Sequence, residues 1–261
     1  MLQPAAAHRD NRMILNVAAY LFVAIDDADS LAVQVHEQAE AVSLLGSVLV
    51  TPEGINLFLA GEEAPLRGFL DWLQEDQRFA GITIKESWSK ALPFARLKVK
   101  RKDEIIAFRR EAAVPLHRER APAVDPATLA RWIEQGHDDA GKPLVLLDTR
   151  NREEVAFGSF TGALTLPIDN FTELPDALAS RRAGLSDSTV VSFCTGGIRC
   201  EKAALFLRDD GMDNVLQLDG GILGYFEHVG GFGYEGRCFV FDERVALDPS
   251  LQPLVDGHDA A

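Results

Sequence analysis

Cysteine is scarce in this 261-residue chain, and long apolar runs are missing. Three cysteines are an odd, low number, which argues against a disulfide framework and favours a reducing compartment such as the cytoplasm. No stretch approaches the roughly 20 apolar residues that a membrane-spanning helix requires. Residues 1–12 also lack the apolar core and cleavage site of a signal peptide. We therefore expect a cytoplasmic protein with no membrane partner.

Signatures of the common cofactors are missing as well. Cys and His never occur with the spacing of zinc ligands. The sequence contains neither a Walker phosphate-binding loop nor a dinucleotide-binding fingerprint. It therefore predicts no metal site and no organic cofactor.

Positive charge is in the minority, but it is concentrated. The chain has a net charge of −14, which argues against indiscriminate binding to nucleic acid. Residues 85–120, however, contain eleven Lys or Arg and five Asp or Glu, a local net charge of +6. Such asymmetry indicates a site for a polyanion, although a solvated strand face followed by a charged linker would look the same. The residues that we expect to contact phosphate are Lys98, Lys100 and Arg101.

The most informative stretch surrounds Cys194. Residues 189–193 are β-branched and aromatic, which is typical of a buried strand, and Gly196-Gly197 predicts a tight turn. From Arg199 onward the apolar residues follow helical spacing, and Gly211 marks the end of the helix. The pattern therefore places a cysteine at the carboxyl end of a strand, on a loop that opens a helix.

This position affects the chemistry of the thiol. Free backbone N–H groups of the turn and of the first helical turn can point at the sulfur, and Arg199 favours its anion. Both effects lower the pKa of a thiol, so Cys194 is a candidate nucleophile or sulfur carrier, with Arg199 stabilising the charge. The competing interpretation is a structural cysteine beside an ordinary turn, and the paired glycines and Arg199 argue against it.

The loop resembles a known family. Cys-x-x-Gly-x-Arg after a strand is similar to the active-site loop of rhodaneses, in which the cysteine carries a persulfide. Cys-Thr-Gly-Gly-Ile-Arg-Cys-Glu-Lys-Ala, residues 194–203, more specifically resembles the loop of the bacterial rhodanese-domain tRNA uridine hydroxylases. The resemblance implies formation of 5-hydroxyuridine at the wobble position, the tRNA anticodon loop as partner and molecular oxygen as co-substrate.

The first part of the chain predicts a ferredoxin-like, acylphosphatase-like α+β domain over residues 13–110. Strands are predicted at residues 14–25, 47–51, 55–60, 82–87 and 97–102, with helices after the first and third. We expect the first helix to be capped by Asp29 or Ser30 and to end at Gly46. Two segments, Glu-Gly-Ile-Asn at residues 53–56 and Leu-Lys-Val-Lys at residues 97–100, resemble the N-terminal domain of the same hydroxylases. Gly54 and Asn56 there are more simply explained as turn residues.

Residues 111–124, charged and without periodicity, predict a linker. Alternating strands and helices over residues 125–230 then predict a rhodanese-like α/β domain with a parallel sheet, opened by Asp125-Pro126 as a helix cap. Asp148-Thr149-Arg150 and a Gly-Ser-Phe-Thr-Gly-Ala segment resemble rhodanese elements, with Ser159 where the family has histidine. We expect Asp148 to be structural. Residues 231–261 form an irregular extension containing Phe-Val-Phe-Asp-Glu-Arg, which the hydroxylases share; the long basic Cys-rich tail common in that family is not seen here.

The predicted active-site loop therefore comprises Cys194, Thr195, Gly196, Gly197, Ile198 and Arg199. Cys200 could resolve an oxidised Cys194 as a disulfide or simply pack as a small apolar group, and Cys238 is expected to be inert. Two other functions compete with the hydroxylase. One is a thiosulfate-type sulfurtransferase that passes sulfur from a Cys194 persulfide to a small thiol. The other is a non-catalytic tRNA-binding module, which the intact Cys194 and Arg199 disfavour.

Overall fold

A computed structural model of the protein describes residues 13–110 and 113–256. Residues 1–12, the first two residues of the predicted linker and the last five residues of the predicted extension lie outside these ranges.

The N-terminal domain has the predicted ferredoxin-like fold with one strand added. Its elements in chain order are β1 (Ile14–Phe22), α1 (Ala28–Ala41), β2 (Leu45–Thr51), β3 (Gly54–Gly61), α2 (Glu63–Glu75), β4 (Thr83–Ser89) and β5 (Leu97–Arg101). The strands lie in the order β4-β1-β3-β2-β5, with β5 parallel to β2. The apolar residues of α1 and α2 pack on one face of this sheet, and neither helix covers its other face.

The predicted limits of the first helix are wrong. α1 begins at Ala28, before Asp29, and it ends at Ala41. Gly46 does not end the helix but lies inside β2 with φ at 138°. A Cβ atom there would come within 2.0 Å of the Phe58 carbonyl oxygen, so glycine is required by the close approach of β3.

The second domain has the predicted rhodanese-like fold. Its elements are β6 (Ala123–Val124), α3 (Pro126–Gln135), β7 (Leu144–Asp148), α4 (Arg152–Val155), β8 (Gly158–Phe160), α5 (Leu174–Ala179), β9 (Thr189–Phe193), α6 (Ile198–Asp209), β10 (Val215–Leu218) and α7 (Gly221–Val229). Four strands form a parallel sheet in the order β6-β10-β9-β7. The side chain of Asp125 caps α3 by accepting hydrogen bonds from two backbone N–H groups at 3.0 Å, as its sequence predicts.

The segment before the second domain packs into the core of that domain. Phe108 is fully buried and stacks on Phe171, with 4.5 Å between ring centroids, and it meets Phe206 edge-on. Ala113 and Ala121 belong to the same apolar cluster. The parallel sheet already begins with β6, within the predicted linker, because Ala123 and Val124 pair with β10.

The C-terminal extension also packs on the rhodanese fold. It contributes β11 (Tyr234–Gly236), β12 (Cys238–Phe239) and β13 (Ala246–Leu247). β11 pairs with β8, and the buried ring of Tyr234 meets that of Phe160 with 5.2 Å between centroids. The extension reaches the N-terminal domain too, since the Arg244 guanidinium donates to Ser87 Oγ at 2.7 Å.

Candidate active site

Cys194 lies at the carboxyl end of β9, where the fold places a ligand site in open parallel sheets. The backbone N–H of Gly197 points at its Sγ atom, 3.1 Å away. Gly197 can do so because it adopts φ at 104°, in the left-handed region, immediately before α6 begins at Ile198. The turn glycine at the start of α6 therefore points a backbone N–H group at the sulfur, as the sequence predicts.

The loop that opens α7 packs against the Cys194 loop. Gly221, at the start of α7, lies so close that an added Cβ atom would come within 2.6 Å of the Cys194 carbonyl oxygen. The N–H groups of Ile222 and Leu223 donate to the carbonyl oxygens of Cys194 and Thr195, at 2.9 and 3.0 Å. Main-chain hydrogen bonds from the start of α7 thus hold the Cys194 loop in place.

Arg199 is held by a buried carboxylate. Its two terminal nitrogens donate to the two oxygens of Glu154, each at 2.6 Å, and Thr195 Oγ1 donates to the same carboxylate at 3.4 Å. Glu154 in turn forms the capping box of α4 with Asn151. Bidentate pairing fixes the plane of the guanidinium and keeps its charge beside Cys194.

The surroundings of Cys194 favour its anion. Burial by itself would raise the pKa of this thiol. The neighbouring Cys200 thiol, the charge of Arg199 and the backbone N–H groups of the loop outweigh burial and lower the pKa to about 5. The environment of Cys194 therefore favours its thiolate form at neutral pH.

The other two cysteines remain protonated. Burial and the adjacent Cys194 anion raise the pKa of Cys200, whose Sγ also lies 3.8 Å from Thr149 Oγ1. Burial raises the pKa of Cys238 to about 12, and its thiol lies beside the Thr195 side chain. All three are free thiols, and Cys194 is the one whose surroundings lower its pKa.

The N-terminal domain completes the site. Tyr20 of β1 donates its hydroxyl hydrogen to Glu201 of α6 at 3.3 Å, and this hydroxyl lies 2.9 Å from the place of a Cβ atom on Gly197. Lys85 of β4 donates to the carbonyl oxygen of Gly196 at 3.4 Å and to that of Gly220. Burial lowers the pKa of Lys85, and the Cys194 anion opposes that change. Two side chains of the first domain therefore lie directly on the cysteine loop of the second.

A cleft of about 1210 Å³ opens between the two domains. Its walls are the uncovered sheet face of the N-terminal domain, the segment around Arg109 and the rhodanese loops, and Cys194 and Arg199 line it. Cys194 itself is only 1% exposed, so a reactant must reach it along this cleft.

Both halves of the chain match known domains. Residues 14–105 match the UPF0176 acylphosphatase like domain, and residues 125–228 match the Rhodanese-like domain. A tRNA uridine(34) hydroxylase of Xanthomonas euvesicatoria pv. vesicatoria is 66% identical over 249 residues, which span 95% of this chain and all of that protein. The chain belongs to the tRNA uridine(34) hydroxylase family.

A more distant relative agrees with this assignment. The tRNA uridine(34) hydroxylase of Xylella fastidiosa strain M23 is 59% identical over 244 residues, 94% of this chain and 95% of that protein. Among solved structures, a Saccharomyces cerevisiae homolog of single-domain rhodanese and the Cdc25 phosphatase catalytic domain covers 41% of this chain and 80% of its own, with 18% identity and a TM-score of 0.34. The two domain matches and the two hydroxylase relatives confirm the family and the fold class expected from the sequence.

The three basic residues predicted to contact RNA do not share one face. Lys98 and Lys100 lie on the face of the sheet that is turned away from its helices, because their neighbours Leu97 and Val99 pack on the core. Arg101 pairs in register with the buried Val50, on the helix side, and its guanidinium contacts Asp29 and Asp103. Strand alternation therefore separates Arg101 from the two lysines.

Asp148 has a structural environment. It accepts hydrogen bonds from Nε and Nη2 of the fully buried Arg150 and, at 2.8 Å, from Ser159 Oγ. Ser159 thus contacts Asp148 from the position where rhodaneses have a histidine. This group orients the loop after β7 but does not touch Cys194.

Sequence reasoning missed three residues of the site, which are Glu154, Tyr20 and Lys85. In the sequence, Glu154 is one of two adjacent glutamates, and nothing marks it as the partner of Arg199. Tyr20 and Lys85 lie in another domain, so only docking of the domains brings them to Cys194. Within residues 13–110 and 113–256, no cluster of His, Cys, Asp and Glu could hold a metal ion, and no helix is both long and apolar enough to cross a membrane.

Proposed function

We propose that this protein hydroxylates uridine 34 of tRNA in the cytoplasm, with Cys194 as the reactive group and molecular oxygen as co-substrate. The product is 5-hydroxyuridine, in which one oxygen atom of O2 is inserted into the C5–H bond of the base. The other oxygen atom leaves as water, and oxidation of the adjacent Cys194 and Cys200 to a disulfide supplies the two electrons and two protons that this requires. The names of the relatives and the chemistry of the cysteine loop support this proposal.

One observation carries the proposal, namely that a stabilised thiolate lies at the bottom of a cleft built by two domains. A small sulfur acceptor needs only the loop of the rhodanese domain. A wobble uridine must be unstacked from its loop and held against the sulfur, which requires a second surface to grip the RNA. The cleft is larger than most small-molecule pockets, and the N-terminal sheet supplies such a surface.

Roles follow for the neighbouring groups. Arg199 and the Gly197 N–H stabilise the Cys194 anion, while Glu154 positions Arg199. Cys200 is close enough to the Cys194 sulfur to lower its pKa, so it is available to resolve an oxidised sulfur. Thr195, Gly196 and Ile198 complete the wall of the loop that faces the cleft.

Nucleoside mass analysis of tRNA tests the proposal. A strain that lacks 5-hydroxyuridine should regain it when the full chain is expressed in air, but not without oxygen. Cys194→Ser should abolish the product, whereas Arg101→Ala, on the far side of the sheet, should not. If the full chain leaves tRNA unmodified but transfers sulfur from thiosulfate to small thiols, the sulfurtransferase is the correct assignment.

A further inference from the structure

The uncovered face of the N-terminal sheet carries two continuous rows of side chains that begin at the active-site loop. The register places Lys85, Ala18, Phe58, Ser47 and Lys98 side by side across the five strands. The next row consists of Thr83, Tyr20, Asn56, Leu49 and Lys100. Four strand spacings separate the ends of each row, a distance of about 19 Å.

The two ends of these rows have different surroundings. At one end, Lys85 contacts the Cys194 loop, and Tyr20 on the next strand donates to Glu201 beside that loop; both side chains are partly buried. At the other end, Lys98 and Lys100 are exposed, and within the described residues neither forms an ion pair. The rows therefore run from the reactive sulfur to free positive charge at the surface.

The middle of the rows is apolar and partly open. Phe58 is half-buried, lines the cleft and lies on the third of the five strands. Its neighbour Asn56 also lines the cleft, and its side-chain amide makes no hydrogen bond within the part of the chain that the structure describes. An aromatic ring flanked by an amide and lysines on an open sheet suits unpaired bases, which stack on aromatic rings while phosphates bind cations.

We propose that this face is the binding track for the single-stranded nucleotides next to the target uridine. A base stacks on Phe58, and the phosphates beyond it bind Lys98 and Lys100. The proposal rests on the proposed function, since it assumes that an RNA loop enters the cleft. Two observations favour RNA as the occupant: the exposed Lys98 and Lys100 suit a phosphate backbone, and the track is continuous with the Cys194 loop, where the target uridine would lie.

Binding of a fluorescein-labelled anticodon stem-loop RNA to the full chain tests the track, by anisotropy over a range of salt concentrations. Phe58→Leu keeps the apolar volume but loses the aromatic face, and we expect its Kd to rise roughly 5- to 150-fold. Phe58→Trp should bind like the wild type. A duplex of the same stem without its loop should bind weakly to all of them.

The lysines are tested by the salt dependence. Replacing both Lys98 and Lys100 by Ala should reduce the slope of log Kd against log salt by about 1.4, because each phosphate contact on single strands contributes about 0.7. Arg101→Ala, on the opposite face, is the matched control and should leave the slope unchanged. The two lysines are exposed, so their replacement should not disturb folding, which a melting curve checks.

Three results would overturn the track. These are an unchanged Kd for Phe58→Leu together with an unchanged slope for the double lysine variant, equal binding of the loop-free duplex, or a change of oligomeric state with no change in RNA affinity. The outcome is separable from the proposed function. RNA binding along the track without 5-hydroxyuridine would refute only the enzyme activity, whereas 5-hydroxyuridine formation with unaffected binding in these variants would refute only the track.

Discussion

Lys202 of the rhodanese helix α6 and Glu53 of the N-terminal domain form a buried ion pair across the two domains, with 2.6 Å between Nζ and Oε1. The same ammonium group donates to Glu104 at 2.9 Å and to the carbonyl oxygen of Ile106 at 3.1 Å. Glu53 also accepts from the backbone N–H of Ile105. Since α6 begins within the cysteine loop, this pair fixes the angle at which the N-terminal sheet meets the active site.

Removing one partner of this pair should be costly. Lys202→Met leaves Glu53 buried without its cation, and we expect a loss of about 3–5 kcal/mol in the free energy of unfolding, measured by urea titration. The double variant with Glu53→Gln should recover part of that loss, because the buried carboxylate is then neutral and the remaining partner of Lys202, Glu104, is partly exposed to solvent. Asp169→Asn, which breaks an exposed pair with Arg152, should have a much smaller effect. Equal effects of Lys202→Met and Asp169→Asn would contradict the interpretation.

The thiolate of Cys194 should be visible directly. Absorbance near 240 nm follows thiolate formation, and a step with its midpoint near pH 5 should be present in the wild type and absent in Cys194→Ser. Arg199→Met should move the midpoint upward, since the charge of Arg199 is one of the groups that lowers this pKa. A wild-type midpoint in the range of a free thiol, about 8.5, would show that the loop does not activate the sulfur.

The ion pair of Glu154 and Arg199 should make the free energy of unfolding depend on pH in the acidic range. Burial opposes ionisation of Glu154, but its hydrogen bonds to Arg199 and the charge of that residue lower its pKa below the ordinary value. A carboxyl group with a lowered pKa in the folded state stabilises the protein above its unfolded pKa, and this contribution is lost as the pH falls through the folded value. Glu154→Gln should therefore lower the free energy of unfolding at pH 7 by about 3–5 kcal/mol.

The difference between wild type and Glu154→Gln should shrink as the pH falls below about 4.5. Urea titrations at pH 7 and at several acidic values measure it, and the comparison cancels the contributions of other carboxylates. A difference that stays constant over this range would mean that the ionised form of Glu154 is not what stabilises the fold.

The two glycines of the loop should respond differently to a methyl group. Gly197→Ala forces an L residue to φ of 104° and places Cβ 2.9 Å from the Tyr20 hydroxyl, so we expect it to destabilise the fold by about 1–3 kcal/mol and to raise the pKa of Cys194. Gly196→Ala is the matched control, because no atom lies within 4 Å of its added Cβ. Melting curves and the thiolate titration together measure both effects. The steric argument fails if the two variants behave alike.

Local patterns predicted much of this molecule because the relevant forces act between near neighbours in the chain. The β-branched and aromatic run before Cys194 predicts β9, and Asp125-Pro126 predicts the start of α3. The interpretation of Asn56 as a turn residue is wrong: it lies in the central strand β3, paired with Tyr20 and Leu49, within the strand predicted over residues 55–60.

Contacts between distant segments could not be predicted in the same way. Arg199 and Glu154 are 45 positions apart, and the sequence does not distinguish Glu154 from the adjacent Glu153; in the structure only Glu154 is buried, where it takes part in the capping box of α4. Tyr20, Lys85 and Lys202 act across the domain boundary, where one sequence carries no periodic signal. Their pairing depends on how the sheet docks against α6, which is a tertiary property.

The burial of Phe108 and Tyr234 bears on any attempt to dissect or recombine this protein. A gene fragment that encodes residues 125–230 would omit Phe108, whose ring stacks on Phe171, and Tyr234, whose ring is one of those that meet Phe160. It would also omit β6 and β11. Such a fragment would have holes on two sides of its core, each comparable to a Phe→Ala substitution and costing about 3–5 kcal/mol. We therefore expect residues 125–230 not to fold well by themselves. A chimera that transfers the rhodanese-like domain should be joined to the other protein before Ile105 and after Leu251.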